Sequence, residues 1–189
     1  AAKYAIEGNM ADKYQAVFGA IFMPTSVINL VAGFVIRPYI TKLSDQWERN
    51  ALPEFAGTVG RLAAIIAALT ALAVGGAWIL GIPVLSMLYP KIAYMLRECR
   101  LALAFIILGG AFNAYVNLFY YALIIMQEQK RIFLGYVGVT AAALLISSPC
   151  VRAAGLLGGS LSYLLLMAAL TACFGLTSLV MYRRRVRGI

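Results

Sequence analysis

Residues 101–127 read LALAFIILGGAFNAYVNLFYYALIIMQ, 27 positions without a charged side chain. A helix needs about 20 mostly apolar residues to cross the hydrocarbon core of a bilayer. Four further runs flank this one: Tyr14–Ile36 with 23 uncharged residues, Leu62–Tyr89 with 28, Ile132–Val151 with 20 and Ala153–Tyr182 with 30. Strands of a membrane barrel would instead alternate apolar and polar residues over about ten positions. Backbone groups in lipid must find their partners within the segment, which leaves the helix as the solution. The pattern predicts an all-α, polytopic membrane helix bundle with helices over about 14–40, 60–82, 100–126, 132–150 and 154–182, forming one transmembrane domain from 1 to 189.

Composition agrees. Of 189 residues 63% are hydrophobic and 12% charged, and the mean hydropathy is +0.87. Soluble domains carry about 25% charged residues, so a wettable surface cannot be assembled from what remains. There is no histidine, which removes the commonest metal ligand and general base. The three cysteines, Cys99, Cys150 and Cys173, lack the spacing of a metal site and read as packing residues. The acids are Glu7, Asp12, Asp45, Glu48, Glu54, Glu98 and Glu128, all outside the apolar runs. No nucleophile, phosphate-loop or metal motif occurs. The expectation is a protein that is not an enzyme, with no metal and no cofactor. Ion-coupled carriers usually place a carboxylate at mid-membrane, and these runs contain none.

Glycine and proline punctuate the runs. Pro24 falls within the first span and predicts a kink, with Thr25, Ser26 and Asn29 close by to satisfy the freed carbonyls. Gly75-Gly76 and Gly81-Ile82-Pro83 place the end of the second span near Leu80, followed by an interfacial stretch to Pro90. Gln127–Arg131 reads as a tight polar hairpin and Pro149 to Gly155 as another connection. In the longest linker, Arg37–Arg61, Ser44-Asp45 suits the cap of a short surface helix containing Trp47, and Pro53-Glu54 suits the first turn of the next helix. Gly155-x-x-x-Gly159, Ala63/Ala67/Ala71 and Gly138-x-x-x-Ala142 suit close helix packing.

Net charge is +9. Five spans put the termini on opposite sides. The side holding Arg37–Arg61, Lys130-Arg131 and the tail Arg183, Arg184, Arg185 and Arg187 carries ten Lys/Arg; the other carries six. The positive-inside rule then predicts a cytoplasmic C-terminus. The basic tail reads as a topology anchor meeting anionic lipid, and no nucleic acid is expected as a partner.

Asn113, Asn117, Tyr120 and Tyr121 recur at i, i+4, i+7 and i+8, one helix face. Such a stripe either lines a polar cavity or hydrogen-bonds neighbouring helices. Arg37, closing the first span, and Arg61, opening the second, are the candidates for an anionic ligand, since guanidinium forks match phosphate oxygens; the alternative is that each snorkels to the interface.

Several stretches together resemble a known family. They are Lys3-Tyr4-Ala5-Ile6-Glu7, Phe22-Met23-Pro24, Phe34-Val35-Ile36-Arg37-Pro38, Gly81 through Tyr89, Gln127 through Arg131 and Gly155-Leu156-Leu157-Gly158-Gly159. Their order and spacing resemble the C-terminal part of bacterial polysaccharide-biosynthesis flippases of the Wzx type, in the superfamily that includes the MATE exporters. The resemblance implies a two-lobe transporter around a central cavity, this chain supplying its last five helices. It implies a bacterial cytoplasmic membrane and translocation of a polyprenyl-diphosphate-linked oligosaccharide between leaflets, with Arg37, Arg61, Asn113, Asn117, Tyr120 and Tyr121 as cavity residues from this chain. The start at Ala1 without a Met fits a fragment lacking its N-terminal lobe, which would be a partner alongside the lipid-linked oligosaccharide and membrane lipids. The alternatives are a MATE-type drug or metabolite antiporter and a small non-transporting membrane subunit.

Overall fold

The computed structural model describes residues 12–76, 79, 83, 84, 87 and 100–187, with side chains at all of these except 12–18, 20, 21, 100, 148, 149, 152–154 and 156. Among them there is no strand, and five helices are long and apolar enough to span a membrane. Helix α1 (Asp12–Ile36) passes through a short 3-10 turn (Arg37–Tyr39) directly into α2 (Ile40–Glu48). Helix α3 (Leu52–Gly76), α4 (Arg100–Ile125) and the 59-residue α5 (Gln129–Arg187) complete the described elements. Cys99, the Pro83–Pro90 stretch as a whole and the end of the second span near Leu80 lie outside the described residues.

The centre is α4. In its most apolar window 56% of residues are buried, against 11–28% in the other four spans. It packs on α1, α3 and α5, and small residues set those distances. A Cβ at Gly110 would meet Thr25 Cγ2 at 2.5 Å, and one at Gly109 would meet the Tyr163 ring at 2.6 Å. Polar side chains then pin the helices. Thr25 Oγ1 donates to the Ile106 carbonyl at 3.1 Å, Tyr115 Oη to the Ala63 carbonyl at 3.0 Å and Thr171 Oγ1 to the Phe112 carbonyl at 2.9 Å. In lipid such bonds, with van der Waals packing, hold helices together. Thr25 therefore ties α1 to α4 instead of satisfying its own helix at Pro24, which lies inside an unbroken α1.

The long α5 is not one rod. Thirty-nine residues of helix would place Gly135 and Phe174 about 58 Å apart, yet a Cβ on Gly135 would sit 2.5 Å from the Phe174 ring, and the Tyr136 and Phe174 rings lie 5.2 Å apart at 87°. The chain folds back between them, at Gly155, whose φ of 55° is left-handed. Its two arms, Gln129–Ser147 and Leu157–Arg187, form an antiparallel hairpin and are counted as separate spans. The expected connection over 149–155 is where the chain reverses, between arms ending at Ser147 and restarting at Leu157; it differs from expectation only in that helical backbone continues on both sides of Gly155. Glycine carries this conformation without the steric penalty of a Cβ.

The other reversals use the same device. Asn50 (φ 58°) turns α2 into α3, with Ala51 N–H bonded to the Gln46 carbonyl at 2.9 Å; Gln127 (φ 62°) turns α4 into α5, with Glu128 N–H bonded to the Leu123 carbonyl at 3.0 Å. Each satisfies the last carbonyls of the preceding helix. The polar hairpin at 127–131 is present, tightened by an Arg131 Nε–Glu128 Oε2 pair at 3.0 Å.

Several boundaries differ from expectation. Arg37-Pro38 does not end the first helix; a fixed proline φ is compatible with helical backbone, and the helix tightens and runs on to Glu48. Ser44 and Asp45 are inside α2, not at its cap, and Trp47 is buried rather than on the surface. Helix α3 starts at Leu52 instead of 60, with Pro53 and Glu54 in its first turn as expected. Its inner face is Leu52, Phe55, Thr58, Leu62 and Ile66, a helical spacing. Cys173 is exposed and Cys150 half-buried; Cys173 Sγ still packs over Gly135, 3.5 Å from where a Cβ would stand. Gly138, Ala67 and Ala71 face outward, whereas Gly159 is buried and Ala63 packs on the core; Gly109, Gly110, Gly135 and Gly175 also pack closely against neighbouring helices.

The α2–α3 turn, the α4–α5 turn and the C-terminus meet at one end of the bundle. There Arg185 Nη2 donates to the Trp47 carbonyl at 3.1 Å, Nε donates to Asn50 Oδ1 at 3.2 Å, and the guanidinium stacks 4.3 Å from the Trp47 ring centre. The ten-cation set thus includes groups that the fold gathers on one side, as the span count requires.

Candidate functional site

The polar stripe of α4 is divided by the packing around it. Asn113, at its start, faces α1: its Nδ2 donates to Asn29 Oδ1 at 3.0 Å, while Asn29 Nδ2 donates to the Thr25 carbonyl at 2.9 Å. Asn29 is thereby oriented by its own helix to accept from the neighbour. This is an interhelical bond, so Asn113 is a packing residue and not a free cavity group. Replacing Asn29, Asn113 or both by leucine is expected to reveal a coupling of about 1 kcal/mol in a double-mutant cycle of detergent unfolding, the scale of polar pairs between membrane helices. Strictly additive losses would show that the two carboxamides do not interact.

Further along, the stripe is free. Asn117, Tyr120 and Tyr121 are half-buried. The Asn117 carboxamide and both phenol hydroxyls make no hydrogen bond among the described residues. The rings themselves are held: Tyr120 lies edge-on to Tyr121 at 5.5 Å and to Tyr136 at 6.4 Å, and Tyr136 in turn meets Phe174. This aromatic chain fixes the ring planes against the Gln129–Ser147 arm, leaving the polar tips unused.

Arg37 begins the 3-10 turn and Arg61 lies about two and a half turns into α3. Arg61 therefore does not open its span, because α3 begins earlier than expected. Both are exposed, and neither has an ion-pair partner among the described residues. The outward face around Arg61 is made of small residues: Gly57, Gly60, Ala64, Ala67, Ala68 and Ala71 are all exposed. The outward face of α1 is bulky by contrast, with Met23, Val27, Leu30 and Phe34 exposed. The structure does not gather the six predicted residues into one pocket: Arg37 and Arg61 stand on α1/α3, Asn113 on the α1–α4 seam, and the tyrosines beside α5. Neither of the two cavities described at the bundle surface is lined by any of them.

The sequence reading placed Asn29 on a carbonyl of its own helix, which its bond to Thr25 shows, but missed its second role as the partner of Asn113 across 84 residues. Its position beside Thr25 one turn away was the available signal. Among the described residues no group of three His, Cys, Asp or Glu could hold a metal. Comparison with protein-family models, with curated proteins and with solved structures returns no match.

Proposed function

We propose that this bundle works in membrane transport, as part of a two-lobe flippase that moves a polyprenyl-diphosphate-linked oligosaccharide across the bacterial cytoplasmic membrane, with its C-terminus in the cytoplasm and no enzymatic step of its own. The observation that carries the reading is the unused polar row Asn117, Tyr120 and Tyr121 at half-buried positions within a span. Polar groups at membrane depth without partners cost several kcal/mol in lipid. A row of them is stable against a hydrated space, where sugar hydroxyls can exchange with water. Exposed Arg37 and Arg61 supply positive charge for a diphosphate, and the small-residue face beside Arg61 leaves room for a bulky ligand.

The test is Asn117→Leu in the bacterium that encodes the chain. The expected result is loss of surface polysaccharide and accumulation of the lipid-linked precursor, with the protein's membrane level unchanged. Wild-type polysaccharide at wild-type protein level would overturn the assignment. The interhelical use of Asn113 favours a second reading, a non-transporting membrane subunit. In that case Asn117→Leu and full disruption of the gene both leave the glycan intact.

A further inference from the structure

At the end of the bundle where the chain's turns meet, a crevice of about 310 Å³ opens between α2, the α4–α5 turn and the last helix. Its walls are Trp47, Met126 and Met181, and its charged groups are Glu128, Arg184 and Arg185. We infer that this crevice binds the phosphate headgroup of an anionic phospholipid, with Arg184 as the principal contact.

The charges at the crevice are unequally committed. Glu128 is paired with Arg131 at 3.0 Å, so its repulsion toward an anion is offset. Arg185 is spent on Trp47 and Asn50 through Nη2 and Nε. That fixes its plane and leaves Nη1 without an assigned acceptor. Arg184 makes no ion pair or hydrogen bond among the described residues. One free guanidinium beside one preoriented guanidinium is a fitting pair for phosphate oxygens. Arg183 and Arg187, on the same tail, do not line the crevice.

The apolar walls choose the source of that phosphate. Trp47, Met126 and Met181 are each nearly buried, at 7–8% exposure, and line the crevice with apolar side chains. A free inorganic anion gains nothing from them, whereas the glycerol and first methylenes of a lipid do. The sequence around the crevice has the character of a membrane interface. Half-buried Tyr39 and Tyr182 flank it in sequence, and the apolar span ends as the run of arginines begins. Aromatic and basic residues concentrate at that level of a bilayer.

The experiment is native mass spectrometry of the whole chain in neutral detergent, titrated with phosphatidylglycerol or phosphatidylcholine. Wild type is expected to retain a single phosphatidylglycerol at concentrations where phosphatidylcholine is lost. Arg184→Gln is expected to weaken that adduct about tenfold, the equivalent of one charge-assisted contact. Arg183→Gln and Arg187→Gln are expected to change it less than about twofold. Equal losses in all three variants would reduce the effect to diffuse tail charge and overturn the site. Displacement of the lipid by millimolar inorganic phosphate would overturn lipid recognition, and so would equal retention of the two lipids. Arg184 has no hydrogen-bond or ion-pair partner among the described residues, so the variant should keep the wild-type Trp emission, separating lost binding from lost fold.

Discussion

Replacing Gly110 by leucine should separate α4 from α1 and cost the bundle about 3 kcal/mol, the upper range for overpacking a close contact plus one lost interhelical bond. A Cβ at this position would already lie 2.5 Å from Thr25 Cγ2 and 3.1 Å from its Cβ and Oγ1. Thr25 cannot swing aside cheaply. It is 1% exposed and its hydroxyl is committed to the Ile106 carbonyl. The measurement is the midpoint of unfolding in mixed detergent micelles. A milder pair of variants isolates the cause. Gly110→Ala should destabilise, and adding Thr25→Ser, which removes the offending methyl and keeps the donor, should restore most of the loss. If Gly110→Ala unfolds at the wild-type midpoint, the two helices are not as close as described.

Phe174→Ala is the second large effect, at about 3 kcal/mol, the lower end for emptying a buried aromatic site. Phe174 is fully buried; its ring covers Gly135 and meets Tyr136 edge-on. The glycine exists to admit that ring, so truncation leaves a gap that neither arm can close. The low end of the range is appropriate because lipid, unlike water, does not drive apolar groups inward; what is lost is packing. Loosened arms should also expose the hairpin to protease near Gly155. A Phe174→Ala protein with wild-type unfolding and protease resistance would contradict the hairpin register.

The five spans were legible because charge is expensive in hydrocarbon, so uncharged runs mark where the chain lies in lipid. The helix ends were not legible from the same signal. Helices run past the hydrocarbon into headgroups and water, where Lys42, Asp45 and Glu54 are welcome on an exposed side. Hence the short helix at Trp47 and the first turn at Pro53-Glu54 were legible, but not that α2 continues from α1 or that the second span's helix already starts at Leu52. The connection at Pro149 to Gly155 was legible from its residues; what was not legible is that the backbone stays helical on both sides of one left-handed glycine. The stripe at Asn113–Tyr121 was legible as periodicity. Its division was not, because a period states which residues share a face and not which neighbour covers each level of it. Contacts such as Arg185 on Trp47, across 138 residues, follow from the order in which helices surround α4. No local pattern encodes that order.

The single-residue reversal at Gly155 bears on which length changes the protein can survive. A loop absorbs an added or deleted residue; a turn with no loop passes it on. One residue inserted in either arm rotates everything beyond it by about 100° relative to the other arm, carrying Phe174 off Gly135 and Thr171 away from the Phe112 carbonyl. The 59 residues Gln129–Arg187 therefore behave as a fixed-length cassette. Point substitution can vary its lipid side, whereas an insertion just before Gln129 meets the same constraint, because Gln127 reverses the chain there with one left-handed residue.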